Sequence, residues 1–247
     1  VQVGGAAGTL AALGPRGPEV NAVLAEALEL NPAHAPWHVQ RDNLVEFGNW
    51  LSLTAGILGK MGQDMLLLSQ SDVGEIGFRS GGKSSTLPNK NNPVAPEFLV
   101  SLARYSQQQA GALAQSVLAG GERDGVSMTL ESLTLAPLVC AAGAAMKLAS
   151  EALADMEIVS ETMARNIDAD RGRMLAEAAT FELSRFMERG EASALVARAC
   201  RLATENETHM IDELSKLTQA EADWQALKEL RNHLGAAQQI IDRALKS

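Results

Sequence analysis

The sequence predicts an all-α protein: a bundle of long helices followed by a small C-terminal helical domain. Three observations carry this expectation. The composition is 46% hydrophobic but only 4% aromatic, and it is rich in Ala, Leu and Glu, with 9 Met, all strong helix formers. Apolar residues recur at spacings of three and four without interruption over 37–69, the period of an amphipathic helix. No stretch shows the two-residue alternation of a half-buried strand.

A short helix is expected over 18–30, with Pro18 in the first turn, where a missing N–H costs little, and Asn31-Pro32 ending it. After a Pro-bounded linker, 31–36, the pattern over 37–69 places Leu44, Phe47, Leu51, Thr54, Leu58, Met61, Met65 and Leu68 along one seam. A helix of that length spans roughly 50 Å, more than a compact domain of this size needs. Trp50, Leu53 and Ile57 lie on its opposite side, and Gly48, Gly56, Gly59 and Gly62 let other backbones approach. Burial on more than one face predicts assembly with other chains. Two more long helices are expected, over 93–118 and 129–159, the latter kinked or restarted near Pro137. Shorter, more charged helices follow over 171–187, 191–203, 209–217 and 224–245. The expected domains are 1–166, a bundle interrupted by a loop at 72–92, and 167–247.

Several function classes fall away. Lys plus Arg number 21 against 30 for Asp plus Glu, a net charge of −9 with no basic run, so nucleic acid is not an expected partner. Cys140 and Cys200 sit in apolar helical patterns without CxxC spacing, which predicts reduced, buried thiols and neither a disulfide nor a metal site. No uninterrupted apolar run approaches the eighteen or so residues of a membrane span, and no charged-then-apolar leader opens the chain. A cytoplasmic protein without a membrane partner is expected.

The loop 72–92 holds the chemistry. A non-helical connection of this length within a bundle is commonly a binding or catalytic loop. Arg79, Lys83 and Lys90 supply cations, Ser84, Ser85 and Thr86 supply hydroxyls, and glycines at 74, 77, 81 and 82 allow backbone N–H groups to converge. Asn92-Pro93 reads as an N-cap and first-turn pair leading into a helix whose free N–H groups favour anions. Carboxylates suit such a site. A plain Gly/Ser linker with a capping Asn accounts for the composition alone; the residue order is what distinguishes it.

That order, Ser84-Ser85-Thr86-Leu87-Pro88-Asn89-Lys90-Asn91-Asn92-Pro93 with Glu97 following, resembles the SSxMPxKxNPxxxxE signature of the aspartase/fumarase superfamily. Lys83, Leu87, Asn89 and Asn91 depart from the usual residues. The segment GGAAGT at 4–9 resembles the superfamily's middle conserved segment. Met163, Asn166, Ile167, Gly172, Ala176 and Glu177 resemble the start of its C-terminal domain. Within the superfamily, PWHVQRD at 36–42, the opening VQVGGAAGTLAALG and ERDG at 122–125 are similar to the bacterial 3-carboxy-cis,cis-muconate cycloisomerase branch, and Gln40-Arg41-Asp42 is shared with adenylosuccinate lyase.

The resemblance implies a cofactor-free enzyme acting on a small polycarboxylate as a homotetramer with shared active sites. It implies intramolecular lactonisation of 3-carboxy-cis,cis-muconate in aromatic-compound breakdown, with a fumarate-releasing β-elimination as the alternative. It assigns Ser84 as acid/base, Lys90 and Asn92 to the substrate carboxylate and its aci-carboxylate intermediate, and Glu97 to orienting a catalytic histidine. Lys83, Ser85, Thr86 and Arg41 are the further substrate-binding candidates, Arg41 being equally readable as half of a local ion pair. The histidine falls upstream of Val1, so an incomplete N-terminus, and with it an inactive helical assembly, is also an expectation. His38 is the best placed of the histidines that are present.

Overall fold

The computed structural model describes residues 1–80, 82–83 and 91–246, with residues 82, 83 and 91 described by their backbone alone. It divides into two compact units, Val1–Ile158 and Val159–Ser247.

In the first unit, α1 (Gly17–Ala27) precedes three long helices, α2 (Asp42–Leu68), α3 (Val94–Ala114) and α4 (Gly125–Asp155), which pack together into a bundle. Its centre joins Leu51, Ala110, Leu113, Leu138 and Ala142. The 27 residues of α2 make it roughly 40 Å long, shorter than its apolar pattern suggests because 37–41 stay outside the helix.

The buried line of α2 is Gly48, Leu51, Ala55, Gly59, Gly62 and Met65; Leu51 and Met65 of the expected seam lie on it, while Leu44, Phe47, Thr54, Leu58, Met61 and Leu68 flank it, with Phe47 exposed. Close approach explains the shift: a Cβ on Gly59 would stand 2.3 Å from Ala103 Cβ, and one on Gly62 2.8 Å from Leu99 Cβ. Only small residues fit where α2 and α3 nearly touch. These glycines therefore serve packing within the chain.

Helix α4 starts earlier than periodicity suggests, because Asp124 caps it by accepting the Ser127 N–H at 2.9 Å. That bond also lowers the Asp124 carboxyl below its ordinary value. Pro137 thus lies inside the helix. By length and composition α4 is apolar enough to cross a bilayer, which a search for uninterrupted apolar runs misses. Its Leu138, Ala142, Ala145 and Ala149 are buried within the bundle. Cys140, expected to be buried, is exposed.

The structure also corrects the expectation of no strands. Strand β1 (Ile76–Phe78) precedes β2 (Gly82–Lys83) and β3 (Asn91–Asn92), and β4 (Met156–Ile158) follows α4. Strands β1 and β4 pair antiparallel with Gly77 opposite Glu157, and β2 and β3 pair with Gly82 opposite Asn92. Strands of two or three residues are too short to show an alternating pattern.

In the second unit, α5 (Ser160–Ala169), α6 (Ala176–Leu183), α7 (Arg189–Glu205), α8 (Met210–Leu217), α9 (Trp224–Lys228) and α10 (Ala237–Ala244) follow one another. Leu183, Val196, Met210, Ile211 and Leu214 centre its core. His209 caps α8, its Nδ1 accepting the Ile211 N–H at 3.2 Å. Its ring fills the space over Gly172, where a Cβ would lie 2.3 Å from it. Burial, followed by the Lys228 charge, lowers its pKa. The single helix expected over 224–245 is broken, with Gly235 at φ +53° between α9 and α10.

Candidate active site

The two ends of α2 carry different parts of the sequence signatures. At its N-terminal end the three segments 1–9, 36–42 and 122–125 come together. Trp37 N–H donates to Gln2 Oε1 at 2.9 Å, His38 Nε2–H to the Gly5 carbonyl at 2.8 Å, and Arg123 N–H to the His38 carbonyl at 3.1 Å. Glycine is required on the facing loop: a Cβ on Gly4 would stand 2.3 Å from His38 Cε1, and Gly8, at φ +84°, faces Pro36 at 2.8 Å. Here His38 holds a loop.

Arg41, a substrate-binding candidate, lies at this same end and is 8% exposed. Its Nε forms an ion pair with Glu131 of α4, while its Nη1 donates to the Trp37 carbonyl and, at 3.1 Å, to the Gln40 carbonyl. The guanidinium ties the start of α2 to α4. Glu131 was not singled out by sequence reasoning, since nothing local marks it.

At the other end of α2 a cleft of about 690 Å³ opens. Among the described residues, Gln63, Ser69, Gln70 and Ser71 give it a polar wall, Ile76 and Phe78 an apolar one, and Asn92 and Pro93 close it beside α3. Asn92 is half-buried at the end of β3. It does not cap α3: the residue before the helix is Pro93, and no side chain caps there. Glu97 lies exposed in the first turn of α3, an acidic residue that the helix dipole favours. Ser84, Ser85, Thr86 and Lys90, and the side chain of Lys83, lie outside the described residues.

The strands fix how this loop is held. Gly82 and Lys83 pair with Asn91 and Asn92, so the intervening residues 84–90 are bracketed by a closed hairpin base. On the approach to it, Arg79 Nε donates to Glu157 Oε1 at 2.8 Å, and Arg79 N–H to the Asp155 carbonyl at 3.2 Å. Ser80 N–H lies 3.1 Å from both Asp155 carboxylate oxygens. Asn92, on the wall of the cleft, offers an amide that can meet an anion there. No group of three His, Cys, Asp or Glu side chains is placed to share a metal among the described residues.

Comparison with known proteins places the fold among lyases and cycloisomerases. Residues 1–105 match the lyase family model. A 3-carboxy-cis,cis-muconate cycloisomerase of Pseudomonas aeruginosa is 37% identical over 99% of this chain and 55% of its own length. The crystal structure of the 3-carboxy-cis,cis-muconate lactonizing enzyme from Pseudomonas putida superposes with a TM-score of 0.88 at 33% identity, over 100% of this chain and 56% of that one. A fumarate lyase from Mesorhizobium matches with a TM-score of 0.88 at 30% identity, over 100% of this chain and 57% of that one. The chain thus spans little more than half the length of these relatives. The helical bundle and these likenesses make the chain similar to part of such cycloisomerases and lyases, with residues 1–105 carrying the match to the lyase family model.

Proposed function

We propose that the full-length protein is a cycloisomerase that lactonises 3-carboxy-cis,cis-muconate in aromatic-compound breakdown, in the cytoplasm and without a cofactor. The observation that carries the reading is Asn92 on the wall of an open polar cleft, in the strand that pairs with β2; the sequence between the two strands is rich in hydroxyls and holds Lys90, groups that suit a polycarboxylate. One substrate carboxylate oxygen adds to an alkene carbon, forming the C–O bond, and the electron pair moves onto the neighbouring carbon as a doubly charged aci-carboxylate. Lys90 and Asn92 stabilise that charge, Ser84 delivers the proton to carbon, and Ser85, Thr86 and Lys83 bind the remaining carboxylates. Bonds and charge balance without an oxidant or reductant. Glu97 orients a histidine supplied by the rest of the full-length protein.

We assign Arg41 to positioning α2, since its Nε and Nη1 are already engaged. The two signature-bearing ends of α2 lie roughly 40 Å apart on one helix, too far to meet in one chain. Trp50, Leu53 and Ile57 leave an apolar stripe 57–64% exposed. Both features support a homotetramer in which ends of different chains share a site.

The test is diene absorbance after the full-length protein meets 3-carboxy-cis,cis-muconate. Its loss supports lactonisation, and no change at high enzyme concentration removes it. The fumarate lyase likeness favours a second reading, β-elimination, for which release of fumarate from adenylosuccinate is the deciding result.

A further inference from the structure

We propose that Asp155 is a positioning residue for the loop that carries Asn92, setting the start of β2 through the Ser80 backbone. This rests on the functional reading above for its consequence, though not for its geometry. Asp155 is the last residue of α4, where a carboxylate opposes the negative end of the helix dipole. Helix stability does not explain it.

Its contacts do: the main-chain oxygen accepts the Arg79 N–H at 3.2 Å, and the carboxylate accepts the Ser80 N–H with both oxygens at 3.1 Å. Two consecutive N–H groups leaving β1 are therefore captured by one residue. The chain then enters β2, where Gly82 is paired with Asn92. A bundle helix with a buried face thus fixes, through one charge-assisted bond, the hairpin base on which Asn92 stands. The Arg79–Glu157 pair beside it is more than half exposed on both partners and adds little. A violated local rule whose compensation lies at a site is the pattern expected of a functional constraint.

The test uses Asp155→Ala and Asp155→Asn in the full-length protein. Hydrogen exchange over 79–83 reads the clamp whatever the reaction is: exchange about tenfold faster in Asp155→Ala is expected, and unchanged exchange overturns the proposal. On the lactonisation assay, Asp155→Ala is expected to lower kcat roughly tenfold to a hundredfold with KM and melting temperature little changed. Asp155→Asn, which keeps an acceptor oxygen, is expected to recover most of that loss. A fall in melting temperature with kcat intact, or an Asp155→Asn variant no better than Asp155→Ala, overturns the positioning role. If the wild-type protein does not lactonise the muconate, the functional reading fails while the exchange result still decides the clamp.

Discussion

The N-terminal end of α2 is finished within the chain, whereas its C-terminal end is open. At the first, His38 is bonded to Gly5 and Arg41 to Glu131, so the signature residues there hold loops and helices together. At the second, Gln63, Gln70 and Asn92 line a cleft, and Asn92 pairs with Gly82, two residues past the Ser80 N–H that Asp155 accepts. Residues of similar chemical type thus divide by whether their polar groups are already engaged. Spent groups serve stability, and groups on a cleft are available to a substrate.

Perturbing the two ends separately sharpens this contrast. The largest effect is expected from Ser84→Ala in the full-length protein, which should lower kcat/KM by about a thousandfold with an unchanged circular-dichroism melt, since it removes the proposed proton carrier. At the finished end, Glu131→Ala strands the 8%-exposed Arg41 and should cost about 3 kcal/mol in urea unfolding. Midway along α2, Gly59→Ala pushes a Cβ against Ala103 and should cost about 1–3 kcal/mol by the same measurement. Cost near zero there means that α2 and α3 can separate freely.

The second unit provides a control remote in sequence from both ends. His209 must be neutral for Nδ1 to accept the Ile211 N–H, and its folded pKa is lowered, first by burial. Below the ordinary value of about 6.5 the unfolded chain binds the proton more readily, so the contribution is full above that pH and is lost as pH falls towards the folded pKa. Melting temperature should therefore drop below about pH 6.5, and less so in His209→Gln. The smallest effect belongs to Arg79→Ala, which breaks an exposed ion pair worth at most about 1 kcal/mol and should be further masked by salt.

Much of the fold was legible because long helices declare themselves by period. The positions of α2, α3 and α4 follow from apolar spacing and from Asn31-Pro32 and Asn92-Pro93. Their ends do not: Asp124 moves the start of α4 by a cap, and β1 and β4 claim residues that continue the helical or loop pattern. The seam of α2 holds at Leu51 and Met65 and is off by one position at Phe47, Thr54, Leu58 and Met61, because periodicity weights large side chains whereas the closest contact selects small residues. Residue order is what marks the loop at 81–93 as a candidate site. Glu131 and Asp155 were not, since their partners lie far off in sequence; an acidic residue ending a helix was the one local sign of Asp155.

The central claim, that the open end reacts and the finished end supports, is tested most directly by comparing Asn92→Ala with Arg41→Met in the full-length protein, measuring kcat/KM and melting temperature on the same samples. The expected result is a split: Asn92→Ala loses roughly a hundredfold in kcat/KM with its melting temperature kept, and Arg41→Met melts several degrees lower with kcat/KM within about threefold of wild type. Loss of activity without loss of stability in Arg41→Met, together with full activity in Asn92→Ala, contradicts it.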